Sequence, residues 1–308
     1  MRSLTVATRG SRLALAQTEI VITALKNAQP DIDFKIDTIS TKGDRAKSAA
    51  LWQLNGFGFF TRQVEEALLG GRAEVAVHSF KDMPTEQTDG VRIAAVCQRH
   101  FPEDCLISAR PTRSLDDLPA GAKIGTSSFR RVAQIGHLRS DLTTTGMRGN
   151  VETRLAKLEA GQVDAVVFAR AGLERLGLAD KISFSFDPQE FIPAPAQGAL
   201  AVQTRADDAE TTKLVASIDH GPTRLTVLAE RKVLARLHPG CHAPVGVFAG
   251  IIGSDIMITG FVANIDGSVF LRREVKGPVE QSEVLAQRLA DELIEDGAAK
   301  ILKALERK

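Results

Sequence analysis

The sequence is poor in the side chains on which several classes of protein depend. Tyrosine is absent, tryptophan occurs once, and aromatic residues make up 5% of the 308 positions. A protein that recognises nucleic acid by stacking bases needs more aromatic rings, so this function is disfavoured. Three cysteines, Cys97, Cys105 and Cys241, are too few for a disulfide framework and fit a reducing compartment. We therefore expect a cytoplasmic protein.

Neither sign of charge dominates, and long apolar runs are missing. The 39 Lys and Arg residues oppose 38 Asp and Glu, which gives a formal charge of +1 and no global field to attract nucleic acid. No apolar run approaches the roughly 18 residues that cross a bilayer. The first residues also lack the apolar stretch and cleavage site of an export signal. We expect a globular protein of two or three domains without a membrane partner.

The first two thirds of the chain alternate strand and helix patterns. Helices are predicted over 12–27, 60–69, from residue 129, and over 151–160; strands are predicted over 4–8, 34–39, 74–77, 123–124, 142–145, 164–168 and 199–203. This alternation is typical of parallel sheets built from crossover units, so the predicted fold class is α/β. The polar, glycine-containing residues 41–58 are predicted to form a mobile loop.

The last ninety residues have a different pattern. A helix is predicted over 223–236 and another beyond Pro278, with a hairpin turn at Asp266-Gly267 among strands at 245–252, 256–262 and 269–275. This order indicates an α+β domain with a small antiparallel sheet. The predicted boundaries are residues 1–98 with 198–216 for a first lobe, 99–197 for a second, anion-binding lobe, and 217–308 for the third domain.

Arginine is concentrated in the middle section, where residues 99–175 contain ten arginines and two lysines. Guanidinium groups bind carboxylates and phosphates through paired hydrogen bonds. Gly125–Arg131 joins a predicted strand to a predicted helix, and Met147–Asn150 repeats this arrangement one strand later, with Arg154 a turn beyond it. Free N–H groups, hydroxyls and arginines at two helix starts favour a polyanion pocket. The alternative is two capped helices whose arginines form ordinary surface ion pairs.

Two other segments carry reactive side chains. Asp82 follows a predicted buried strand, where a carboxylate stabilises a developing cation or moves a proton; alternatively, it pairs with Lys81 or starts the turn at Pro84. Cys241 lies in a turn between His238 and His242, where a reactive or modified thiol and a buried, inert cysteine are both open. Three ligands at one turn match no common zinc spacing, and no dinucleotide or P-loop motif occurs.

The chain resembles the porphobilinogen deaminase (hydroxymethylbilane synthase) family in seven segments that occur in the family's order. They are Ala7–Arg9 with Ser11, Ala76–Pro84, Gly125–Arg131, Arg148–Val151 through Arg154, Ala171–Leu178, Pro195–Ala199, and Gly240–Cys241 with Pro244–Gly246. The resemblance implies a monomeric transferase that condenses four porphobilinogen molecules into hydroxymethylbilane, releasing ammonia, in tetrapyrrole biosynthesis. It also implies two lobes similar to those of periplasmic binding proteins, followed by the third domain.

The same resemblance implies roles for individual residues. Asp82 corresponds to the catalytic aspartate, and Cys241 to the cysteine that holds a dipyrromethane cofactor through a thioether. Further cofactor contacts fall on Ser79, Lys81, Thr126, Ser127, Ser128, Arg130 and Arg131. Substrate contacts fall on Arg9, Phe60, Arg148, Arg154, Arg175 and Gln197. No metal is implied.

Three residues depart from the family's pattern, and two other functions remain open. Phe57 stands where many members have lysine, which removes one proposed contact to a carboxylate, whereas Ala196 and Pro239 replace frequent glycines. A two-lobed protein that only binds a polycarboxylate or oxyanion is the main alternative function. A Cys–His hydrolase is the third, and it requires a base near Cys241.

Overall fold

The computed structural model describes residues 2–41, 61–238 and 243–305. Contacts divide the chain into two compact units. The first comprises Met1–His100 with Gly198–Leu225, and the second Phe101–Gln197 with Thr226–Lys308. The division into three domains with the boundaries given above stays a prediction.

The described residues form strands and helices in the following order along the chain. They are β1 (Arg2–Arg9), α1 (Arg12–Ala28), β2 (Ile32–Ile39), α2 (Arg62–Leu69), β3 (Val75–Ser79), β4 (Val91–Val96), β5 (Asp104–Ser108), β6 (Lys123–Gly125), α3 (Phe129–Leu138), β7 (Thr143–Thr145), α4 (Val151–Glu159), β8 (Ala165–Ala169), α5 (Arg170–Arg175), β9 (Phe184–Ser185), β10 (Leu200–Arg205), α6 (Ala209–Val215), α7 (Gly221–Leu237), β11 (Val245–Ile252), β12 (Asp255–Ala263), β13 (Phe270–Pro278), α8 (Ser282–Glu295) and α9 (Ala298–Leu305).

The first unit contains a five-stranded sheet with strand order β2-β1-β3-β10-β4. Strand β1 pairs in parallel with β2 and β3, and β10 pairs antiparallel with both β3 and β4. Four strands therefore run in one direction and β10 runs against them. Because β10 follows the segment that returns from the second unit, this reversed strand is where the chain re-enters the first sheet.

Both faces of this sheet are covered by helices, because adjacent apolar residues of β1 are buried on opposite faces. Leu4 and Val6 pack with Val21 and Leu25 of α1 on one face. Ala7 points to the other face, where the apolar side of α2 packs against the sheet. A strand places successive side chains on opposite faces, so an apolar run such as that of β1 is stable only between two layers of helix.

The second unit contains a five-stranded sheet of the same design, with strand order β7-β6-β8-β5-β9. Strands β6, β7 and β8 pair in parallel, whereas β5 pairs antiparallel with β8 and β9. The reversed strand is again the one on which the chain enters the sheet from the other unit. Along β8, Val167 faces the cluster that includes Ile135 of α3, and Val166 faces the one that includes Leu155 of α4.

A three-stranded antiparallel sheet, with order β11-β12-β13, completes the second unit and packs on α3. Gly136 of α3 lies so close to the β12–β13 hairpin that a methyl group there would collide with the carbonyl oxygen of Asp266. The rings of His137 and Phe270 stack with centroids 4.1 Å apart. The small sheet is thus held against the helix that carries Arg130 and Arg131.

The predicted α/β class, with two largely parallel sheets and a small antiparallel sheet, is confirmed. The sequence patterns did not predict the strands β4, β5 and β9 or the helices α5, α6 and α9. Within the described ranges, no helix has both the length and the apolarity that crossing a membrane requires.

Candidate active site

Asp82 is presented by a tight turn at the end of β3. Residues Phe80–Asp82 form one 3₁₀ turn. The Phe80 side chain is fully buried, and its backbone N–H donates to the carbonyl oxygen of Ala199 at 3.1 Å. The turn is therefore anchored from inside the unit while the Asp82 side chain is exposed. This combination fixes a carboxylate at the surface without removing it from solvent.

A cavity of about 60 Å³ adjoins this carboxylate within the first unit. It is lined by Asp82, Ser79, His78, Val77, Arg9, Ser11, Leu13, Ala14, Gln17 and Thr61. Arg9 ends β1, and Ser11 caps α1 by accepting a hydrogen bond from the backbone N–H of Ala14 at 3.2 Å. Ser79 donates to Gln17 Oε1 at 3.0 Å. The carboxyl ends of β1 and β3 thus bring a cation, an amide, a hydroxyl and a carboxylate together.

His78 is the buried member of this group and is uncharged at neutral pH. Burial lowers the pKa of its imidazole from 6.5 to about 4; the amide of Gln203 offsets part of this effect, and the charge of Arg9 adds to it. A neutral ring leaves Arg9 and Asp82 as the charged side chains among the cavity's lining residues.

In the second unit, Arg130 and Arg131 lie in the first turn of α3, with both side chains buried. Both bind the fully buried carboxylate of Asp104. Arg130 Nη2 lies 2.6 Å from Oδ2, and Arg131 Nη2 lies 2.7 Å from Oδ1. Their remaining terminal nitrogens donate to the carbonyl oxygens of Ile192 at 2.7 Å and Val167 at 3.0 Å. The two guanidiniums are therefore held rigidly from within the protein.

The two predicted polyanion-binding loops are joined to each other. The Ser127 hydroxyl donates to the carbonyl oxygen of Met147 at 2.9 Å. The end of the Met147 side chain packs where a methyl group on Gly125, at the end of β6, would stand. Thr126 accepts a hydrogen bond from the backbone N–H of Ser128 at 3.2 Å. This packing brings the hydroxyl-rich start of α3 next to the segment that carries Arg148.

Arg148 and Arg154 complete the cationic group. Arg154 Nε donates to the carbonyl oxygen of Gly149 at 2.9 Å. Burial and the neighbouring charge of Arg131 lower the pKa of Arg154 to about 10, so it stays protonated at neutral pH. Among the described residues, Arg131 Nε and Arg148 Nη2 are buried without a hydrogen-bond partner. Buried unpaired donors are costly, and an anionic ligand would satisfy them.

Gln197 also contacts this group. Its side-chain nitrogen donates to Asp104 Oδ1 and to the carbonyl oxygen of Pro102, both at 2.9 Å. The preceding residue, Ala196, has a φ of 62°, and its backbone N–H donates to Glu230 Oε2 at 2.6 Å. The Ala196 departure therefore places a side chain in the left-handed region that favours glycine, where a buried carboxylate holds the backbone.

The structure distributes the remaining predicted residues as follows. Lys81 is half-buried beside Asp82, and Arg175 is half-buried in α5. Phe60 and Cys241 lie outside the described residues, as do Phe57, Pro239 and all but the first residue of the 41–58 loop. Across the described ranges, no three His, Cys, Asp or Glu side chains assemble as metal ligands.

Asp104 and Glu230 were not predicted from the sequence. Each is a fully buried carboxylate that binds two elements, since Glu230 Oε1 also accepts from the backbone N–H of Ala249 at 2.8 Å. The available signal for Asp104 was an acid directly before the apolar run Cys105–Ile107. Acids are rarely buried without partners, so that position predicts a cation nearby once the strand itself is recognised.

Comparison with known proteins identifies the chain's relatives. Residues 4–213 match the family model described as "Porphobilinogen deaminase, dipyromethane cofactor binding domain", and residues 224–295 match "Porphobilinogen deaminase, C-terminal domain". A porphobilinogen deaminase of Desulforudis audaxviator is 44% identical over 301 residues, 98% of this chain and 97% of the relative. One of Deinococcus radiodurans is 43% identical over 307 residues, 99% of each.

Two of the solved structures that the chain resembles are those of a binding protein and a substrate-binding domain. The methionine-binding protein MetQ has a TM-score of 0.45 at 12% identity, covering 70% of this chain and 89% of its own. Substrate-binding domain 2 of Lactococcus lactis GlnP has a TM-score of 0.43 at 13% identity, covering 70% and 88%.

With this fold and these relatives, the chain is an α/β transferase of tetrapyrrole biosynthesis. It belongs to the porphobilinogen deaminase family, whose enzymes condense porphobilinogen into hydroxymethylbilane on a dipyrromethane cofactor. The family expected from the seven sequence segments is therefore confirmed, together with the reaction and the cofactor that it implies.

Proposed function

We propose that Asp82 is the catalytic carboxylate of this condensation and that Cys241 carries the cofactor. The protonated amino group of the substrate's aminomethyl side chain leaves as ammonia, which departs with the electron pair of the broken carbon–nitrogen bond. A positive charge is left on the methylene carbon and the pyrrole ring. An anion fixed next to that charge stabilises the transition state, in which the charge develops, more than it stabilises the neutral ring of the substrate. The barrier is therefore lowered.

The cavity in the first unit supports this role for Asp82. The turn at Phe80–Asp82 is anchored by a buried ring, so the carboxylate is pre-positioned rather than ordered by the substrate. We assign Arg9 to a substrate carboxylate, and Ser79 and Lys81 to cofactor contacts. Because His78 is neutral at physiological pH, it does not add to the positive charge near the reacting carbon.

The observation that most supports an anion-binding role for the second unit is the pair of unpartnered nitrogens, Arg131 Nε and Arg148 Nη2. Every pyrrole ring carries an acetate and a propionate, and guanidinium N–H groups bind carboxylates. The two buried donors therefore fit the carboxylates of the dipyrromethane cofactor and of the substrate. We assign cofactor contacts to Thr126, Ser127, Ser128, Arg130 and Arg131, and substrate contacts to Phe60, Arg148, Arg154, Arg175 and Gln197. When bound, the dipyrromethane supplies the pyrrole carbon to which the first substrate is joined.

The other cysteines support the assignment of the thioether to Cys241. Cys105 is buried, and desolvation together with the charge of Asp104 raises the pKa of its thiol to about 12. Such a thiol is not a nucleophile at neutral pH. Cys97 is half-buried and packs against the core of the first unit.

The experiment that tests this proposal is an intact-protein mass spectrum of protein purified from cells that make porphobilinogen. We expect a mass excess of two pyrrole units on the intact chain, and a digest of the same sample should place it on the peptide containing Cys241. The Cys241→Ser variant should lose it, and the matched Cys97→Ser variant should keep it. Fully active protein with an unmodified thiol at position 241 would contradict the assignment.

We also propose that the enzyme is a cytoplasmic monomer. The low cysteine content supports a reducing compartment. Light scattering coupled to gel filtration should give the 33.1 kDa mass of one chain, and a mass near twice that value would contradict the monomer.

A further inference from the structure

We infer that Asp104 is a positioning residue for the anion site of the second unit: it holds the guanidiniums of Arg130 and Arg131 in place before a ligand arrives, leaving Arg131 Nε and Arg148 Nη2 as donors for a ligand carboxylate. The inference rests on the proposed function, because it concerns how that site is assembled.

The geometry around Asp104 is that of a hub. Each carboxylate oxygen binds a different guanidinium, at 2.6 and 2.7 Å, and Oδ1 also accepts from Gln197 at 2.9 Å. Asp104 is fully buried at the first position of β5. A buried charge persists only with such partners, and short charge-assisted bonds fix the partners' positions in turn. Three predicted site residues are thus tied to one acid.

The charges explain why an acid is needed there. Arg130 and Arg131 are adjacent and buried, so their mutual repulsion is poorly screened. Burial alone would raise the pKa of Asp104, but the two arginines outweigh that effect and hold its pKa well below the usual range. The carboxylate therefore stays ionised and cancels one of the two positive charges. The cluster of three retains a net charge of +1.

The charge that remains on this cluster neighbours the charge of Arg154. Both terminal nitrogens of Arg130 are bonded within the protein, to Asp104 and to the Ile192 carbonyl oxygen, and so are both of Arg131, to Asp104 and to the Val167 carbonyl oxygen. Arg131 has its Nε unpartnered, and its charge also lowers the pKa of Arg154. A ligand carboxylate is therefore attracted to the neighbouring charges of Arg131 and Arg154, and Arg148 supplies a further buried nitrogen without a partner. By fixing Arg131, Asp104 sets the place of that attraction.

The first test is Asp104→Asn in cells that make porphobilinogen. The amide keeps the size of the side chain but cannot accept from both arginines. We expect the fraction of folded protein that carries two pyrrole units to fall about tenfold, and KM in the loaded fraction to rise about tenfold with kcat changed less than about threefold. The matched control is Glu65→Gln, which also replaces a buried carboxylate but lies in the first unit. It should lower stability without changing loading or KM.

A double-mutant cycle separates positioning from general damage to the fold. If Asp104 acts by fixing Arg131, Asp104→Asn combined with Arg131→Gln should raise KM no more than Arg131→Gln alone. Combined with Arg9→Gln in the first unit, the two fold-changes in KM should multiply. Multiplication in both pairs, or unchanged loading and KM in Asp104→Asn, would overturn the inference.

A measurement on the unaltered chain covers the case in which Asp104→Asn does not fold. Apoprotein made without porphobilinogen should show slowly exchanging guanidinium N–H signals for Arg130 and Arg131 in NMR spectra. Signals that become protected only after porphobilinogen is added would show that the ligand, rather than Asp104, orders the arginines. Wild-type protein that never gains two pyrrole units would instead contradict the proposed function and leave the NMR result to decide the role of Asp104.

Discussion

The two five-stranded sheets have the same strand order but opposite chemistry at their functional ends. In each, four strands run in one direction, and the strand on which the chain enters from the other unit runs against them. The first sheet ends in an exposed carboxylate, Asp82, beside a small cavity. The second ends in buried guanidiniums tied to a buried carboxylate, Asp104.

This difference shows that the strand order of the sheet fixes where polar side chains come together, whereas the sequence of the connecting turns fixes their charge. Ligands of open α/β sheets bind beyond the carboxyl ends of the strands. The chemistry then follows from the side chains on the connecting turns. An exposed anion suits the transient charge of a reaction, whereas a rigid cation cluster suits the permanent charge of a bound ligand.

The largest expected effect concerns the exposed carboxylate of the first unit. Asp82→Ala should lower kcat for ammonia release on the order of 10³-fold, because the anion acts on charge that develops in the transition state. Stability should change by less than about 0.5 kcal/mol, since the side chain is exposed. Ammonia assays with urea unfolding of the same samples check both. Asp89→Ala, also exposed in the first unit, is the control, and an equal loss of rate there would remove the special role of Asp82.

The next effect tests whether the cation cluster of the second unit is structural as well as functional. Arg130→Met should lower the free energy of unfolding by about 3–5 kcal/mol, because Asp104 keeps only part of its compensation. Arg62→Met, in the exposed Arg62–Glu66 pair of the first unit, should cost less than about 0.5 kcal/mol. Urea unfolding measures both changes. A similarly small loss in both variants would show that the buried Arg130–Asp104 pair stabilises the protein no more than the exposed Arg62–Glu66 pair does.

A third prediction separates the units by their acid sensitivity. The folded state holds His78 neutral down to about pH 4, whereas the unfolded chain binds a proton near pH 6.5. The free energy of unfolding of the first unit should therefore fall by up to about 3 kcal/mol as pH falls from 6.5 to 4. The pKa of the Asp104 carboxyl is depressed below its ordinary value of 3.8. Its contribution to the free energy of unfolding is therefore fully present above pH 3.8 and is lost only at lower pH.

The variant His78→Gln should flatten the stability profile between pH 6.5 and 4, because the glutamine does not titrate. Hydrogen exchange measured by mass spectrometry, with peptides from β3 and from β8, assigns the loss to a unit. An unchanged slope in His78→Gln would show that another group causes the acid sensitivity.

The smallest expected effect concerns the three-stranded sheet of the second unit. Gly136→Ala should destabilise by about 1–3 kcal/mol, because the new methyl meets the Asp266 carbonyl oxygen. Gly221→Ala at the start of α7, where the position is open, should be neutral or gain up to about 1 kcal/mol from helix propensity. Thermal unfolding measures both, and a stabilising Gly136→Ala would show that the hairpin moves away easily.

Local patterns predicted most of the helices and the strands that pair in parallel, because their signals are local, but not the short helices α5, α6 and α9. The apolar spacing of α1, the alternation in β2 and the hairpin at Asp266-Gly267 each lie within one short window. The strands β4 and β5 were missed, although β4 is largely apolar. Their pairing partners lie about a hundred residues away in β10 or at least 57 residues away in β8, so no short window contains the pairing.

The candidate site was predicted in part for the same reason. Residue type and spacing pointed to Asp82 and to the arginines at the starts of α3 and α4. The Asp104 hub was missed because β5 itself was not recognised. The specific roles of Asp82, of each arginine and of Cys241 stay predictions, and the experiments above test them.

By itself, the sequence determined the fold class, the family and the stretches of chain that carry charged side chains, since these follow from short-range order and matching segments. Only the tertiary structure decided that Arg130 and Arg131 share one buried acid, that His78 is kept neutral, and that Arg131 and Arg148 each have a buried nitrogen without a partner in the described chain. Burial and ion pairing depend on which distant strands become neighbours, and that depends on the packing of the whole unit rather than on any one segment.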